Sequence, residues 1–158
     1  GNSKSDMERL IQIGMDLRKL DMVERQYVLL AQKVDPQYYA KLGKFQVAQH
    51  EYREATETFR QYFSIKKTDA DARVDYARAL GEIGMVDEAI KNFDYVLAAK
   101  PGVRQVTVIQ YYVTMLVKAE RFDHAKRVID RVRAQDPTAK MFMDTEYKVI
   151  SARTGQHT

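Results

Sequence analysis

Residues 70–103 read ADARVDYARALGEIGMVDEAIKNFDYVLAAKPGV, and this stretch decides the architecture. Its first half, Ala70 to Glu82, places Val74, Tyr76, Ala77 and Leu80 along one helix face. Gly84 interrupts the pattern, Asp87-Glu88-Ala89-Ile90 opens a second helix, and Ala98-Ala99-Lys100-Pro101 closes it. The unit is a helix–turn–helix, and it recurs on both sides. Glu51-Tyr52-Arg53-Glu54-Ala55 leads to Phe59, Met85-Val86-Asp87-Glu88-Ala89 to Phe93, and Arg121-Phe122-Asp123-His124-Ala125 to Ile129. Ala55 and Ala89 are 34 residues apart, and Ala89 and Ala125 are 36 apart, the two extra residues falling near Arg104-Gln105. Pro101 and Pro137 each follow their alanine by 12 residues, and Lys67 holds that slot in the first copy. A second matched patch lies upstream: Leu42-Gly43, Tyr76-Ala77 and Tyr112-Val113.

The physical logic follows from side-chain size. Ala55, Ala89 and Ala125 sit where two helices cross closely, since a methyl group lets the backbones approach. Phe59, Phe93 and Ile129, one turn on, fill the space between neighbouring units. Thr68 with Asp71 and Ser5 with Glu8 have the spacing of capping pairs, and Asp35-Pro36 and Asp136-Pro137 mark helix boundaries. The pattern resembles the tetratricopeptide repeat (TPR), a helix–turn–helix unit of 34 residues, over about residues 36–137. The middle copy matches best. The first copy departs from the family pattern with His50 at the turn glycine and Tyr62 at a small-residue site, and the third with Val113. These departures point to wider helix spacing there.

The flanks read as the remainder of a stacked array. Leu10, Ile13, Leu17 and Leu20, then Val23, Tyr27, Leu30 and Val34, predict two N-terminal helices without the matched small sites. Phe142, Met143, Tyr147 and Ile150 predict a last helix over 138–152, facing inward. The expected fold is an all-α, right-handed α-solenoid of antiparallel helix pairs, about nine helices in all. The expected organisation is an N-terminal pair, a degenerate repeat or cap, at 6–35, repeats at 36–69, 70–103 and 106–139, and a C-terminal capping helix at 140–153. Such caps hide the open ends of a repeat core.

Composition agrees with this reading. A chain of 158 residues can bury roughly 68–70% of its unfolded surface and needs no covalent staple. With Cys 0, disulfides, thiolate metal sites and thiol nucleophiles are excluded; with Pro 3 and Gly 7, a many-stranded β-protein is disfavoured. Lys+Arg outnumber Asp+Glu by 26 to 22, and the excess is localised. Residues 1–102 hold 16 of each sign, whereas 103–158 hold 10 basic and 6 acidic residues. Lys118, Arg121, Lys126, Arg127, Arg131, Arg133 and Lys140 supply most of it, with Glu120, Asp123 and Asp130 interleaved as on a solvated helix face. The most apolar run, Val106 to Val117, is too short to span a bilayer and carries Thr107, Gln110 and Thr114. The opening Gly-Asn-Ser is what a trimmed chain would show. The compartment is therefore open: cytoplasmic is favoured, with a periplasmic or membrane-tethered location through an upstream segment as the alternative.

No catalytic constellation stands out. His50, His124 and His157 are isolated, there is no HExxH or GxSxG motif, and Gly81 to Gly84 lacks the Lys-Ser/Thr of a phosphate loop. Most Tyr and Phe are used in repeat packing, and the seven Met read as core filler. The chain is read as a non-enzyme with no cofactor and no metal.

What the resemblance implies is a protein–protein interaction scaffold. In that family the first helix of each pair lines the concave face and its variable residues contact the ligand. Carried over, these are Gln37, Ala40, Lys41, Lys44 and Ala48; Asp71, Val74, Asp75, Arg78 and Glu82; and Thr107, Gln110, Tyr111, Thr114 and Lys118, with Lys148 extending the row. The candidate partner-binding set is Lys41, Lys44, Asp71, Asp75, Arg78, Gln110, Tyr111, Thr114 and Lys118. Lys44, Arg78 and Lys118 fall at nearly equivalent sites, a cationic line suited to an extended peptide with acidic groups. Relatives that grip a chaperone's C-terminal carboxylate use Lys, Asn and Arg where this chain has Ala40, Lys44, Asp75, Thr107 and Tyr111, so that clamp is absent. The expected partner is another protein, offering an extended or helical segment. The alternatives are self-association through the terminal faces, and anion or nucleic-acid binding through the basic C-terminal third.

Overall fold

A computed structural model describes residues 3–99 and 105–155; the Lys100-Pro101 helix stop, Arg104 and His157 lie outside the described residues. Among the described residues there are nine α-helices and no strand. They are α1 (Lys4–Asp16), α2 (Leu20–Lys33), α3 (Gln37–Ala48), α4 (Tyr52–Ile65), α5 (Ala70–Glu82), α6 (Val86–Ala99), α7 (Val106–Lys118), α8 (Phe122–Gln135) and α9 (Asp144–Gly155). The first eight form four hairpins. Across hairpins, α3, α5 and α7 touch in sequence to make an inner layer, and α9 closes the end against α8. The all-α helical-repeat solenoid expected from the sequence is the fold.

All four hairpins turn in the same way. The residue after the helix cap takes a left-handed conformation: Arg18 (φ 55°), His50 (61°), Gly84 (85°) and Glu120 (57°). The next residue's N–H reaches back to the helix, from Lys19 to Gly14 O (2.7 Å), Glu51 to Gln46 O (2.9 Å), Met85 to Leu80 O (2.9 Å) and Arg121 to Leu116 O (2.8 Å). This double closure satisfies the last carbonyls of each helix and reverses the chain within three residues. Only Gly84 meets the demand without a Cβ penalty.

The residues singled out for close crossing are where they should be. Ala55, Ala89 and Ala125 are 0% exposed, as are Phe59, Phe93 and Ile129. At Gly43, a Cβ would lie 2.5 Å from the Phe59 ring, so α3 and α4 meet at hydrogen-atom contact. The core falls into two clusters, one from Met7 to Ala89 and one from Ala77 to Ile150. Both draw on α5 and α6, and Met115 packs against both.

Three local details differ from the expectation. α1 is capped by Ser3, whose Oγ accepts from the Asp6 N–H (3.1 Å), not by the Ser5/Glu8 pair. α5 is capped by Asp69, which accepts from the Ala72 N–H (3.1 Å), not by Thr68. The last helix begins at Asp144 instead of 138. Asp136 Oδ1 takes both the Thr138 N–H (2.9 Å) and hydroxyl (2.7 Å), which holds Pro137–Ala139 in a separate 3-10 turn. Arg133 then secures the entry to α9, donating to Phe142 O (2.8 Å) and lying over the Tyr147 ring (4.2 Å). Phe142, Met143 and Tyr147 are half-buried against the second cluster and Ile150 is fully buried.

Candidate partner-binding groove

The inner layer carries all nine residues singled out, but the structure gathers only five of them. Arg78 from α5 and Gln110, Tyr111, Thr114 and Lys118 from α7 line one cleft of about 590 Å³. Its floor is set by Gly81. A Cβ there would lie 2.8 Å from Met115 Cγ, so glycine lets the Met115 side chain lie across α5 between the two helices. Glu82, the cleft's one carboxylate, completes the wall. Gly81 and Met115 were missed as groove-forming, because each reads from sequence as an ordinary helix residue.

The cations are not a free line. Arg78 NH1 lies 3.7 Å from Asp75 Oδ1, and its guanidinium stacks over the Tyr111 ring at 4.0 Å. Lys118 Nζ is 4.0 Å from Glu82 Oε1. Burial raises the Asp75 carboxyl's pKa, and the nearby Arg78 and Lys44 charges oppose that rise. The groove therefore alternates in sign, and its aromatic element is held from above by a cation. Tyr111 keeps 37% of its surface in solvent despite this contact.

Of the remaining four, Asp75 pairs with Arg78 as described, and the other three lie elsewhere on the layer. Lys44 is exposed on α3, and Lys41 Nζ sits 4.7 Å from the centroid of the Tyr38 ring on the same helix. Asp71 is at the opposite end of α5, in a shallow depression with Tyr62, Asp69 and Tyr95. Among the wider set, Ala40 is buried in the core and Lys148 pairs with Asp144 on its own helix at 3.0 Å.

No group of His, Asp and Glu among the described residues is arranged to hold a metal ion, and no helix there is long and apolar enough to cross a membrane. A cluster outside the groove has unusual electrostatics. Glu24 on α2 has a buried Oε1 with no hydrogen-bond partner; burial first, then the adjacent Glu51 carboxyl, push its pKa up to about 7.

No family model matches the chain. A curated relative, the TPR repeat-containing protein YsoA of Bacillus subtilis (strain 168), is 24% identical over 108 residues, covering 68% of this chain. The chain spans about a third, 32%, of that relative's length. Among solved structures, a tetratricopeptide repeat protein from Parabacteroides merdae ATCC 43184 superposes with a TM-score of 0.77 at 14% identity, over 99% of this chain and 62% of that one. A MamA RS-1 ArsTM double mutant gives 0.78 at 15% identity, over 99% and 88% of the two chains. A further MamA structure gives 0.76 at 16%, over 96% and 82%.

Proposed function

Proceeding from a tetratricopeptide-repeat fold, which the chain shares with these proteins, we propose that it is a non-catalytic scaffold that binds a partner protein in the cleft between α5 and α7. The observation that carries this reading is the Arg78–Tyr111 stack over an open floor. Tyr and Arg are enriched among the few residues that carry most of the binding energy at protein interfaces, where each offers contact area together with a directed polar group. An extended or helical segment fits a groove of this kind. The interleaving of Asp75 and Glu82 with Arg78 and Lys118 favours a segment with an apolar residue over Tyr111 and Met115 and a single acid near Lys118, over a uniformly acidic one.

The test compares wild type with a Tyr111→Ala, Lys118→Glu variant in a pull-down from the source cells, at matched helicity by circular dichroism. A protein captured by the wild type and lost in the variant supports the groove. Equal capture by both overturns it. Self-association has its own observation: Leu17, Met141 and Val149, toward the two ends of the array, are 60%, 74% and 55% exposed. A mass that rises with concentration in light scattering, and falls on Leu17→Glu, would establish that reading.

A further inference from the structure

The register that defines the repeats lets each junction between them be compared residue by residue. At the junction of the first and second repeats, the outer helices α4 and α6 are bridged by a stack. The Arg73 guanidinium of α5 lies over the Phe63 ring of α4 at 4.3 Å and the Tyr95 ring of α6 at 4.7 Å. Its NH1 donates to Asn92 Oδ1 (2.8 Å), and Phe63 rests on Tyr76 with ring centroids 5.4 Å apart. Moving on by one repeat, Leu97 stands for Phe63, Ile109 for Arg73, Val128 for Asn92 and Arg131 for Tyr95. The ring is replaced by a smaller aliphatic group, and the cation has moved from the inner helix to the outer one. What this leaves between α6 and α8 is a cleft of about 380 Å³, on the side of the molecule away from the groove. That volume is at the lower end of the range for binding pockets.

The charges around this cleft are mostly positive. Arg127 and Arg131 line it, and neither forms an ion pair among the described residues. The one acid in its wall, Asp94, is already engaged, accepting from the Tyr112 hydroxyl at 2.7 Å. His124 Nε2 lies 3.0 Å from the same hydroxyl.

We propose that this cleft is a second binding site, for an aromatic side chain of a partner segment with a carboxylate residue beside it. The ring takes the place that Phe63 fills one repeat earlier, against Leu97, Ile109 and Val128. Arg131 covers its face as Arg73 covers Phe63. The adjacent carboxylate meets Arg127 and Arg131, neither of which has a described acid within ion-pair distance. This site is independent of the groove, so failure of one does not bear on the other.

The experiment is a titration of the labelled chain, followed by amide chemical shifts, with three probes: N-acetyl-Glu-Phe-amide, N-acetyl-Gln-Phe-amide and N-acetyl-Glu-Ala-amide. Saturable shifts confined to α6 and α8 around residues 94–98 and 127–132 are expected with the first probe. The second and third should bind at least about fivefold more weakly, each lacking one of the two interactions. Leu97→Phe refills the cleft with the residue of the preceding junction and should abolish the shifts; Arg131→Gln, a surface change that leaves the fold intact, should weaken them by about the same factor as removing the probe's carboxylate. Lys118→Glu should leave them unchanged. Absence of saturable shifts at millimolar probe, equal binding of all three probes, or undiminished binding in both cleft variants would overturn the proposal.

Discussion

Tyr76 and Tyr112 occupy the same place in successive repeats, but the carboxylates that accept from their hydroxyls stand on opposite sides, on the following outer helix for Tyr76 and on the preceding one for Tyr112. Tyr76 donates to Glu88 Oε1 (2.8 Å) on the following outer helix and accepts from Arg60 Nε (3.3 Å) on the preceding one, and Arg60 and Glu88 themselves pair at 3.6 Å. Tyr112 donates to Asp94 on the preceding outer helix and faces His124 on the following one. Arg60 corresponds to Asp94 and Glu88 to His124. The repeat thus specifies where a buried hydroxyl must find a donor and an acceptor, and leaves the sign of each open. The first junction uses a permanent ion pair and fills the surrounding space with rings; the second uses a titratable histidine and leaves that space open.

The largest effects should come from the rings at the centre of each junction. Phe59→Ala and Phe93→Ala should each cost about 3–5 kcal/mol in chemical denaturation, since both side chains are 0% exposed. The comparison is sharpened one turn further on. Phe63→Ala should cost about 3 kcal/mol, whereas Leu97→Ala, at the wall of an open cleft, should cost about 1 kcal/mol. Equal losses would mean that the second junction is as tightly filled as the first.

The hairpin turns come next. Gly84→Ala should destabilise by about 1–2 kcal/mol through its left-handed backbone alone, because no atom lies within 4 Å of a Cβ built there. Glu120→Gly, at the equivalent turn, should stabilise by up to about 1 kcal/mol as measured by thermal melting.

The two halves should also answer pH in opposite senses. Glu24 has its folded pKa raised from 4.5 to about 7, so its contribution to stability is full below 4.5 and is lost as pH rises through 7. Glu24→Gln should therefore flatten the decline between pH 5 and 8. His124 has its folded pKa lowered, first by burial and then by Arg127, with Asp94 opposing and Arg121 and Arg131 adding to the effect. Its contribution is present above the unfolded value of 6.5 and is lost as pH falls below it. His124→Gln should remove that acid-side loss and leave the alkaline side unchanged. The smallest effect should be at the exposed Arg121–Asp87 pair (3.2 Å), where Arg121→Ala should change stability by less than about 0.5 kcal/mol.

The helical-repeat fold was legible because the chain carries its own internal standard. Ala55, Ala89 and Ala125 recur at the repeat distance, and burial at those sites depends only on stacking. The caps were less legible. Ser3 and Ser5, or Thr68 and Asp69, lie within two residues of one another, and only the backbone decides which oxygen points at the free N–H. The left-handed turns at Arg18, His50 and Glu120 were hidden because their residue types do not advertise that conformation, though the register from Gly84 points to His50 and Glu120. The inner-layer cations were visible as positions, whereas their alternation with Asp75 and Glu82 depends on how long side chains lean across a helix. The cleft between α6 and α8 is written in the register, as Leu97 opposite Phe63 and Ile109 opposite Arg73. It becomes apparent only once the stack it lacks has been seen at the neighbouring junction.

The two core clusters do not divide between hairpins. Tyr76, Leu80 and Ala89 belong to one while Ala77 and Phe93 belong to the other, so both interleave within the single hairpin α5–α6. Although the chain is written in modules, it has no clean seam at which to be cut. A recombinant half ending at Ile65 or beginning at Ala70 would present half of an interdigitated surface to water, and the middle hairpin could be transplanted only together with a neighbour on each side.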